Sequence, residues 1–578
     1  MLVGMPVHNA DIAAVFEEIA DLLEIQGANP FRVRAYRNAA REMESLGVPA
    51  AEMVAKGEDL TELPGIGEDL AAKIREIVET GTCKALEKLR RELPPTITEL
   101  LKIPGLGPKR VRALYDRLRI KTVDQLAKAA QAGRIRALEG FGPKTEQAIL
   151  EALAAHLSEA RRFKLAVAAQ YAEPLKAYLE KVARVDRVVI AGSYRRFKET
   201  VGDIDILVTA KDAPQVMDSF TAYEEVRDVL AKGATRSTVI LKCGLQVDLR
   251  VVDPECYGAA LQYFTGSKAH NIELRRLAQE RGLKVSEYGV FRGERRVAGE
   301  TEESVYKAVD LPWIAPELRE NRGEIEAARA GKLPKLVELD DLRGDLHAHT
   351  KATDGHNTLR EMAKAALERG FEYLAITEHS RRLSVAHGLD PARLRKQIAE
   401  IDRLNAELRG ITILKGIEVD ILEDGRLDLP DDVLAECDLV VGAVHSQFSL
   451  PRAKQTARIL KAMDHRYFTI LAHPSGRLID TRAPYDVDML RIVRHARSRG
   501  CFLELNAHPE RLDLLDIHCQ LARDEGVLVA ISTDAHSVQD FDNLRYGVGQ
   551  ARRGWLTRND VLNTRPLKAL RALLKCTK

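Results

Sequence analysis

Two sets of side chains have the types and spacing that divalent-metal chemistry requires, and the first is a group of three aspartates. Asp203 and Asp205 alternate along the strand-like run DIDILVTA, so both carboxylates point from one face. Asp248, in the run LQVDLRVV, can join them from a neighbouring strand. Clustered carboxylates repel one another and need cations, and a pair of Mg²⁺ ions about 3.5–4 Å apart suits in-line phosphoryl displacement. The alternative is a set of exposed strand carboxylates without a ligand.

A turn suited to phosphate lies just before these aspartates. Gly192 and Ser193 are followed by Arg195 and Arg196, where a strand is predicted to lead into a helix. Arginine offers forked N–H donors that match the oxygens of a triphosphate. The turn therefore favours a metal and phosphate site over the structural alternative.

The second set consists of histidines and carboxylates at the ends of apolar runs. His347 and His349 share one face of their run and can chelate one ion, and Asp534 and His536 repeat this spacing. The other candidates fall at or just after predicted strands: Asp354, His379, Glu418, His445 and His473. Mixed imidazole and carboxylate ligands suit Zn²⁺, Mn²⁺ or Fe²⁺. His356, two residues beyond Asp354, is an alternative ligand, and a single histidine of this kind is more often a core residue.

Three Gly-x-Gly turns form a further candidate binding feature. They lie in LPGIGEDLAAKI at 63–74, IPGLGPKRVRAL at 103–114 and EGFGPKTEQAIL at 139–150. Each opens a helix, whose dipole and free backbone N–H groups attract a phosphate. The predicted contacts are Gly65, Gly67, Gly105, Gly107, Lys109, Gly140, Gly142 and Lys144. Residues 84–150 hold 15 Lys and Arg against 7 Asp and Glu, a net of +8, which argues against a repeat that only packs.

The elements that position these residues divide the sequence into several domains. Residues 10–160 have the apolar spacing of short helices, and β-branched runs begin near 185. Helices return at 258–282, and the polar segment 316–342 is predicted to be a linker. After 343 strands alternate with helices, which is typical of a parallel barrel whose strand ends gather distant residues at one mouth.

Composition narrows the class of protein. Hydrophobic residues make up 45% and charged residues 30%, which is typical of globular proteins. A chain of 578 residues is too long for a single hydrophobic core, so we expect several domains. The seven cysteines include no CxxC pair, and we expect them to be reduced. The sequence contains neither a bilayer-spanning apolar run nor an initial cleavage signal. We therefore expect a cytoplasmic, monomeric protein that does not associate with a membrane.

The motifs GSYRRFKETVGDID and YFTGSKAHNIELR resemble those of family X DNA polymerases such as polymerase beta, over about residues 10–315. The resemblance implies that Asp203, Asp205 and Asp248 hold catalytic Mg²⁺ or Mn²⁺ and that Ser193, Arg196 and the Gly202 backbone hold a triphosphate. It further implies the following contacts: Tyr263, Phe264 and Gly266 with the sugar, Asn271 with the base, and Arg275 with the DNA minor groove. Phe197 departs from the pattern, because many relatives have glycine there.

The three Gly-x-Gly turns likewise resemble helix-hairpin-helix motifs, which grip DNA phosphates without reading sequence. The first turn lies where relatives of family X carry a deoxyribose-phosphate lyase. Lys73 matches the Schiff-base lysine there, and Tyr36 matches an aromatic residue beside it. Such chemistry needs an unprotonated amine, and basic neighbours help by lowering the pKa of the lysine. Asp69 stands where polymerase beta has a basic residue, which argues against lyase activity. An ordinary solvated lysine is the alternative.

The run HAHTKATDGHNTL and its successors resemble the polymerase and histidinol phosphatase (PHP) family over about residues 343–560. The resemblance implies a (β/α)7-type barrel with two or three Mn²⁺, Zn²⁺ or Fe²⁺ ions. The implied ligands are His347, His349, Asp354, His379, Glu418, His445, His473, Asp534 and His536.

Together the two resemblances predict a multidomain protein: a helical lyase-like domain at 1–83, a helix-hairpin-helix domain at 84–160, an α/β nucleotidyltransferase palm at 161–255, a thumb at 256–315, the linker, and a PHP domain at 343–578. We expect a repair polymerase that fills short gaps, using deoxynucleoside triphosphates and gapped or primer-template DNA. A 3′–5′ exonuclease should lie behind it, with 3′-phosphatase or abasic-site cleavage as further possibilities. The alternatives are a nuclease tethered to DNA by an inactive polymerase half, a non-enzymatic DNA scaffold and a small-molecule phosphatase.

Overall fold

The computed structural model describes residues 9–45, 50–63, 65–103, 106–138, 140–142, 145–150, 153, 162–479 and 482–575. It forms two compact units, one of residues 1–162 with 321–327 and the other of residues 163–320 with 328–578. Among the described residues, no helix combines the length and the hydrophobicity that crossing a bilayer requires.

The first unit is helical, as its apolar spacing predicts. The buried side chains of Ile12, Phe16 and Ile19 recur at helical intervals and pack in one core with the second helix. Its α-helices are Asn9–Gln26, Pro30–Ser45, Ala50–Lys56, Glu68–Thr80, Lys84–Glu92, Pro108–Leu118 and Val123–Gln131, with 3₁₀ turns at Leu60–Glu62 and Pro95–Lys102. Residues 145–150 are also helical.

The second unit begins with a small strand pair, β1 Phe163–Lys164 and β3 Thr200–Val201, and a five-stranded mixed sheet. The strands of the sheet are β2 Val185–Ile190, β4 Asp203–Ala210, β5 Val226–Lys232, β6 Arg236–Leu241 and β7 Gln246–Val251. They lie in the order β2-β4-β7-β6-β5. Helices Leu165–Leu179 and Ala213–Thr221 cover the sheet, and Gly192–Arg195 forms a helical turn. This sheet is the predicted α/β palm.

A helical segment with a small antiparallel sheet follows the palm. Its helices are Tyr257–Thr265, Lys268–Glu280 and Glu302–Ala308, and its strands are β8 Lys284–Ser286, β9 Gly289–Arg292 and β10 Arg295–Ala298. Sequence periodicity missed these strands, because runs of three or four residues give little alternation. In the segment expected to be a linker, Leu318 and Arg319 are buried. It also contains the helical pieces Pro316–Leu318, Glu324–Arg329 and Leu339–Asp341.

The C-terminal part is a barrel of seven parallel strands in sequential order. The strands are β11 Gly344–Asp345, β12 Tyr373–Ile376, β13 Thr412–Asp420, β14 Leu439–Ala443, β15 Ile470–Leu471, β16 Phe502–Asn506 and β17 Val529–Ser532. A bridge between Ala348 and Ala535 brings the first and last strand ends together. The predicted (β/α)7 barrel is confirmed.

Helices separate and flank these strands, as the alternation predicts. They are Leu359–Glu368, Pro391–Glu407, Asp431–Leu434, Arg452–Met463, Met489–Arg499, Asp516–Asp524, Leu544–Arg553 and Leu567–Lys575. Short 3₁₀ turns lie at Ser384–Ala386, Asp540–Asn543, Arg558–Asp560 and Leu562–Thr564. In a barrel of this kind the carboxyl ends of the strands open at one mouth, where the histidine motifs fall.

Candidate functional site

The three aspartates converge on one face of the palm sheet. Strands β4 and β7 run parallel, and their register sets Asp205 directly opposite Asp248, with Asp203 two residues earlier. Thr238 Oγ1 donates to Asp248 Oδ1 over 2.6 Å, and Gln246 Nε2 donates to Oδ2 over 2.8 Å. Neighbouring side chains therefore hold the Asp248 carboxylate in a fixed orientation.

The carboxylates lie close enough to perturb one another. Burial, together with the charges of Asp203 and Asp248, raises the pKa of Asp205 to about 7. Gly192 lies against this carboxylate, since a Cβ built there would be 2.5 Å from Asp205 Oδ2. Concentrated negative charge from oxygen ligands fits divalent cations such as Mg²⁺.

The two arginines of the phosphate turn have different partners. Arg195 donates to Thr265 Oγ1 over 2.7 Å and to both oxygens of Glu302 over 2.7–2.8 Å. Arg196 donates through Nε to Glu320 Oε1 over 3.0 Å and through Nη1 to the Thr265 carbonyl. Arg196 also lies near enough to Asp205 to oppose the rise in its pKa. Arg196 thus lies nearer the carboxylates, whereas Arg195 fastens the turn to the following segment.

The other candidate nucleotide contacts cluster around one helix end and the start of the next. Tyr263 and Phe264 lie edge to face at 5.0 Å, and Gly266 ends that helix with a φ of 69°. Asn271 Nδ2 donates to the Tyr263 carbonyl over 2.7 Å, and the Arg275 guanidinium lies 5.0 Å from the Tyr263 ring centre. Gly266 also borders Arg196, whose Nη1 would lie 3.2 Å from an added Cβ.

The Gly-x-Gly turns are exposed where the structure describes them. Gly67 and Gly107 cap the helices Glu68–Thr80 and Pro108–Leu118. Gly65, Gly140 and Gly142 are also exposed, as is Lys109, whereas Gly105 and Lys144 lie outside the described residues. The first capped helix begins with Glu68 and Asp69. These carboxylates oppose phosphate binding there, and the second helix begins with Pro108, Lys109 and Arg110 instead.

Lys73 lies beside both of the residues that bear on its proposed chemistry. Its Nζ is 2.5 Å from Asp69 Oδ1 and 6.0 Å from the centre of the Tyr36 ring. Burial lowers the pKa of Lys73, but Asp69 and Tyr36 outweigh that effect and raise it. The amine is therefore held protonated.

The barrel brings all nine predicted histidine and carboxylate residues to one mouth. Three groups have candidate ligand atoms within 4.8 Å of one another: His349, Asp354, His379 and His536; His347, His349 and Asp534; and His379, Glu418 and His445. His473 joins them, with Nε2 3.0 Å from Glu418 Oε1. His356 is exposed and contributes to none of these groups, which favours Asp354 over it.

The atoms inside this cluster have the character of metal ligands. Among the described residues, His347 Nε2, His349 Nδ1 and His473 Nδ1 are buried without a hydrogen bond. Burial raises the pKa of Glu418, but His379, His445 and His347 outweigh it and hold the pKa well below its usual range. Buried lone pairs without partners and an ionised carboxylate fit several divalent cations.

Three further carboxylates orient the histidines and were missed at the sequence level. Glu504 Oε1 lies 2.7 Å from His347 Nδ1, and Asp420 Oδ1 lies 2.5 Å from His445 Nδ1. Asp345 accepts the backbone N–H of His347 over 3.1 Å. Metal-binding histidines usually have such partners. Their place in the same strand-end motifs, LELN, EVD and GDLH, is the signal that could have found them.

Comparison with protein families gives five matches along the chain. The matches are a helix-hairpin-helix domain at 7–83, a SAM-like helix-hairpin-helix tandem at 97–155, a DNA polymerase beta palm at 166–253, a DNA polymerase beta thumb at 260–320 and a PHP domain at 345–508. They follow the chain in the order that the motifs predict.

Curated relatives agree with these matches. The chain is 40% identical over 576 residues to the DNA polymerase/3′-5′ exonuclease PolX of Bacillus subtilis (strain 168), covering 98% of this chain and all of that one. A probable phosphatase of Acetivibrio thermocellus is 31% identical, over 33% of this chain and 78% of its own length. Another, from Thermoanaerobacter sp. (strain X514), is 28% identical over 38% of this chain and 89% of its own. With the carboxylates, the barrel and the full-length relative in agreement, the chain belongs to the bacterial family X DNA polymerases that carry a C-terminal PHP domain.

Proposed function

We propose that this chain fills short gaps in DNA by template-directed nucleotidyl transfer and trims 3′ ends at its PHP site. As a member of its family it is a DNA polymerase with a metal-dependent PHP activity. The observation that carries the proposal is the coexistence of two clusters of candidate metal ligands in one chain, the palm aspartates aligned by strand register and the histidine-rich mouth of the barrel. A nuclease tethered by an inactive polymerase half would not need the aligned palm carboxylates.

In the palm, each group has a separate task. Asp203, Asp205 and Asp248 hold two Mg²⁺ or Mn²⁺ ions, which when bound stabilise the charge on the attacked phosphate. Ser193, Arg196 and the Gly202 backbone hold the triphosphate. The other contacts are Tyr263, Phe264 and Gly266 with the sugar, Asn271 with the base and Arg275 with the minor groove. Contacts with Tyr263 support these roles, because its carbonyl accepts from Asn271 and its ring lies against the Arg275 guanidinium, which restricts both side chains.

In the barrel, the nine ligands hold two or three ions, with Mn²⁺, Zn²⁺ and Fe²⁺ all suited to the donor set. Bound ions of this kind supply a nucleophile near neutral pH and stabilise a leaving phosphate oxygen. Glu504 and Asp420 keep His347 and His445 in the orientation that presents Nε2 to the cluster. Action on 3′-phosphates or abasic sites would use the same centre.

The helix-hairpin-helix turns hold the DNA backbone, and the second turn has the strongest support. Its helix combines an exposed Gly107 with Lys109 and Arg110, so that charge and helix dipole act together. Lyase chemistry at Lys73 stays a prediction. The Asp69 ion pair would first have to release the amine.

The proposal is tested with a gapped duplex whose primer carries a 5′ label, incubated with Mg²⁺ or Mn²⁺, with and without deoxynucleoside triphosphates. We expect lengthening with nucleotides and shortening with Mn²⁺ alone. Asp205→Ala should abolish lengthening and keep shortening, whereas His347→Ala with His349→Ala should do the reverse. If the histidine variant shortened primers at the wild-type rate, the assignment of 3′-end trimming to the PHP site would be wrong. Absence of lengthening by the wild-type protein would favour the tethered nuclease.

A further inference from the structure

The turn that contains Arg196 is held from the side of the barrel as well as from its own sheet. Arg196 is 11% exposed and shares an ion pair with Glu320, which is 12% exposed. Among the described residues, Nη2 of Arg196 makes no hydrogen bond, whereas Nε and Nη1 are both engaged. Two of the three guanidinium nitrogens are therefore held by the protein, and Nη2 is left to donate to a ligand.

Glu320 is itself held by an arginine from the PHP part of the chain. Arg553, in the barrel helix Leu544–Arg553, donates through Nη1 to Glu320 Oε1 over 2.8 Å and to the backbone carbonyl of Arg196 over 2.9 Å. Its Nη2 donates to Asp516 over 2.8 Å. The Arg553 side chain is only 2% exposed. Arg553 thus contacts both the backbone of the turn and the carboxylate that fixes its arginine.

The next residue of the turn packs on the same helix. Phe197 has a φ of 53°, a conformation that a bulky residue seldom adopts. Its ring lies against Gly549, where an added Cβ would be 2.0 Å from the ring. The glycine therefore leaves the space that Phe197 needs. This contact accounts for the phenylalanine that departs from the family pattern.

We propose that the PHP helix Leu544–Arg553 is part of the polymerase nucleotide site, with Arg553 as a positioning residue that acts on Arg196 through Glu320. The inference rests on the proposed role of Arg196 in binding the triphosphate. A guanidinium that is already oriented loses less conformational freedom when it binds a ligand. The chain of contacts from Arg553 to Arg196 thereby strengthens nucleotide binding without touching the nucleotide.

The test is single-nucleotide gap filling by the full-length protein, with KM for the nucleotide and kcat measured separately. Arg553→Ala should raise KM about tenfold and change kcat less than about twofold, since the lost hydrogen bonds orient a binding group. Arg553→Lys keeps the charge near Glu320 and should restore part of the affinity. Arg552→Ala is the matched control, because Arg552 lies on the same helix but donates to Glu317 and the Val337 carbonyl. Its KM should equal that of the wild type.

Two further variants reach the same contacts without removing a buried arginine. Glu320→Gln keeps the side chain's size and should raise KM to a similar extent, and adding Arg553→Ala to it should raise KM little more. Gly549→Ala should raise KM by displacing Phe197. An unchanged KM in both Glu320→Gln and Arg553→Ala overturns the inference, and so does an equal rise in Arg552→Ala. Arg196→Ala separates the two proposals: if it leaves KM unchanged, the triphosphate role itself fails.

Discussion

At the scale of single residues, the two centres differ in the charges that the fold brings together. The palm centre gathers carboxylates of like charge, and the barrel centre places imidazoles around a carboxylate. In the palm, burial and the charges of Asp203 and Asp248 raise the pKa of Asp205 to about 7. In the barrel, imidazoles surround Glu418, and its pKa falls well below the usual range. The palm carboxylates favour the binding of added cations, because their like charges repel one another. In the barrel, the ionised Glu418 holds the surrounding imidazoles in place. Each therefore makes a distinct prediction.

Asp205→Asn should stabilise the metal-free protein at alkaline pH. A carboxyl whose folded pKa is raised from 3.8 to about 7 costs stability as pH rises through that window, because the folded state must release a proton it prefers to keep. The gain in unfolding free energy should be about 2–4 kcal/mol at pH 8 and should vanish below about pH 4. Denaturant unfolding in EDTA at both pH values measures it. A gain independent of pH would contradict the coupling to ionisation.

Asp420→Asn should weaken metal binding at the PHP centre, although it replaces none of the nine proposed metal ligands. The carboxylate orients His445 through Nδ1, and loss of such a partner typically costs about 10–100-fold in metal affinity or activity. Mn²⁺-dependent shortening of a labelled primer measures the effect, and primer lengthening by the same variant should be unchanged. The exposed Asp424, four residues further along the chain, serves as the control through Asp424→Asn. Equal losses in both variants would refute the orienting role.

At the scale of elements, short segments are tied to one another by a few charged groups. The start of helix Glu302–Ala308 illustrates this, because Glu302 binds Arg195 of the nucleotide turn and the fully buried Arg319. Burial raises the pKa of Glu302, but the two arginines outweigh it and lower the pKa to about 2. Three elements distant in sequence are thereby joined at one carboxylate.

Glu302→Gln should destabilise the second unit by about 3 kcal/mol at neutral pH. A depressed carboxyl pKa gives stability that is present above the unfolded value of 4.5 and is lost as pH falls through about 2. The difference between wild type and variant should therefore shrink across that window. Thermal melts at several pH values check this, with the exposed neighbour Glu303→Gln as the control. A constant difference down to pH 2 would argue that packing, not charge, is responsible.

Lys109→Ala should weaken DNA binding equally for all sequences. The residue lies in the first turn of helix Pro108–Leu118, where a lysine neutralises about one phosphate. The slope of log affinity against log salt should fall by about one. Lys128→Ala, an exposed lysine paired with Asp124, is the control and should leave the slope unchanged. A sequence-dependent loss would indicate base contacts in place of backbone contacts.

At the scale of the second unit, the palm and the barrel share one core. Ile479, Leu512 and Tyr546 of the barrel part are buried in the same hydrophobic cluster as the palm strands. An ion pair of 2.6 Å between Arg477 and Glu199 lies at this contact. The two catalytic halves are therefore expected to unfold together.

Leu512→Ala should lower the stability of both halves by about 3 kcal/mol, the usual cost of emptying a buried leucine site. Scanning calorimetry should show one transition for palm and barrel that moves as a whole. Ile517→Ala, at a position 49% exposed, should change little. A palm transition that stays in place while the barrel transition moves would show that the shared cluster contributes nothing.

The sequence by itself determined the local structure and most of the chemistry. Helical spacing, β-branched runs and the β/α alternation predicted the helical unit, the palm and the barrel. The motifs placed the aspartates on two strands and the histidines at strand ends. These features depend on neighbouring residues and on the fixed periods of helices and strands. A short stretch of sequence is enough to recognise them.

Only the tertiary structure decided which side chains meet. It separated Arg196 from Arg195, paired Lys73 with Asp69, and set Glu504 and Asp420 behind the histidines. It also brought Arg553 to the Arg196 turn across 357 positions of sequence. Contacts of this kind have no period and no local composition. They arise when burial and strand register fix the distances between remote segments, so the sequence alone could not reveal them.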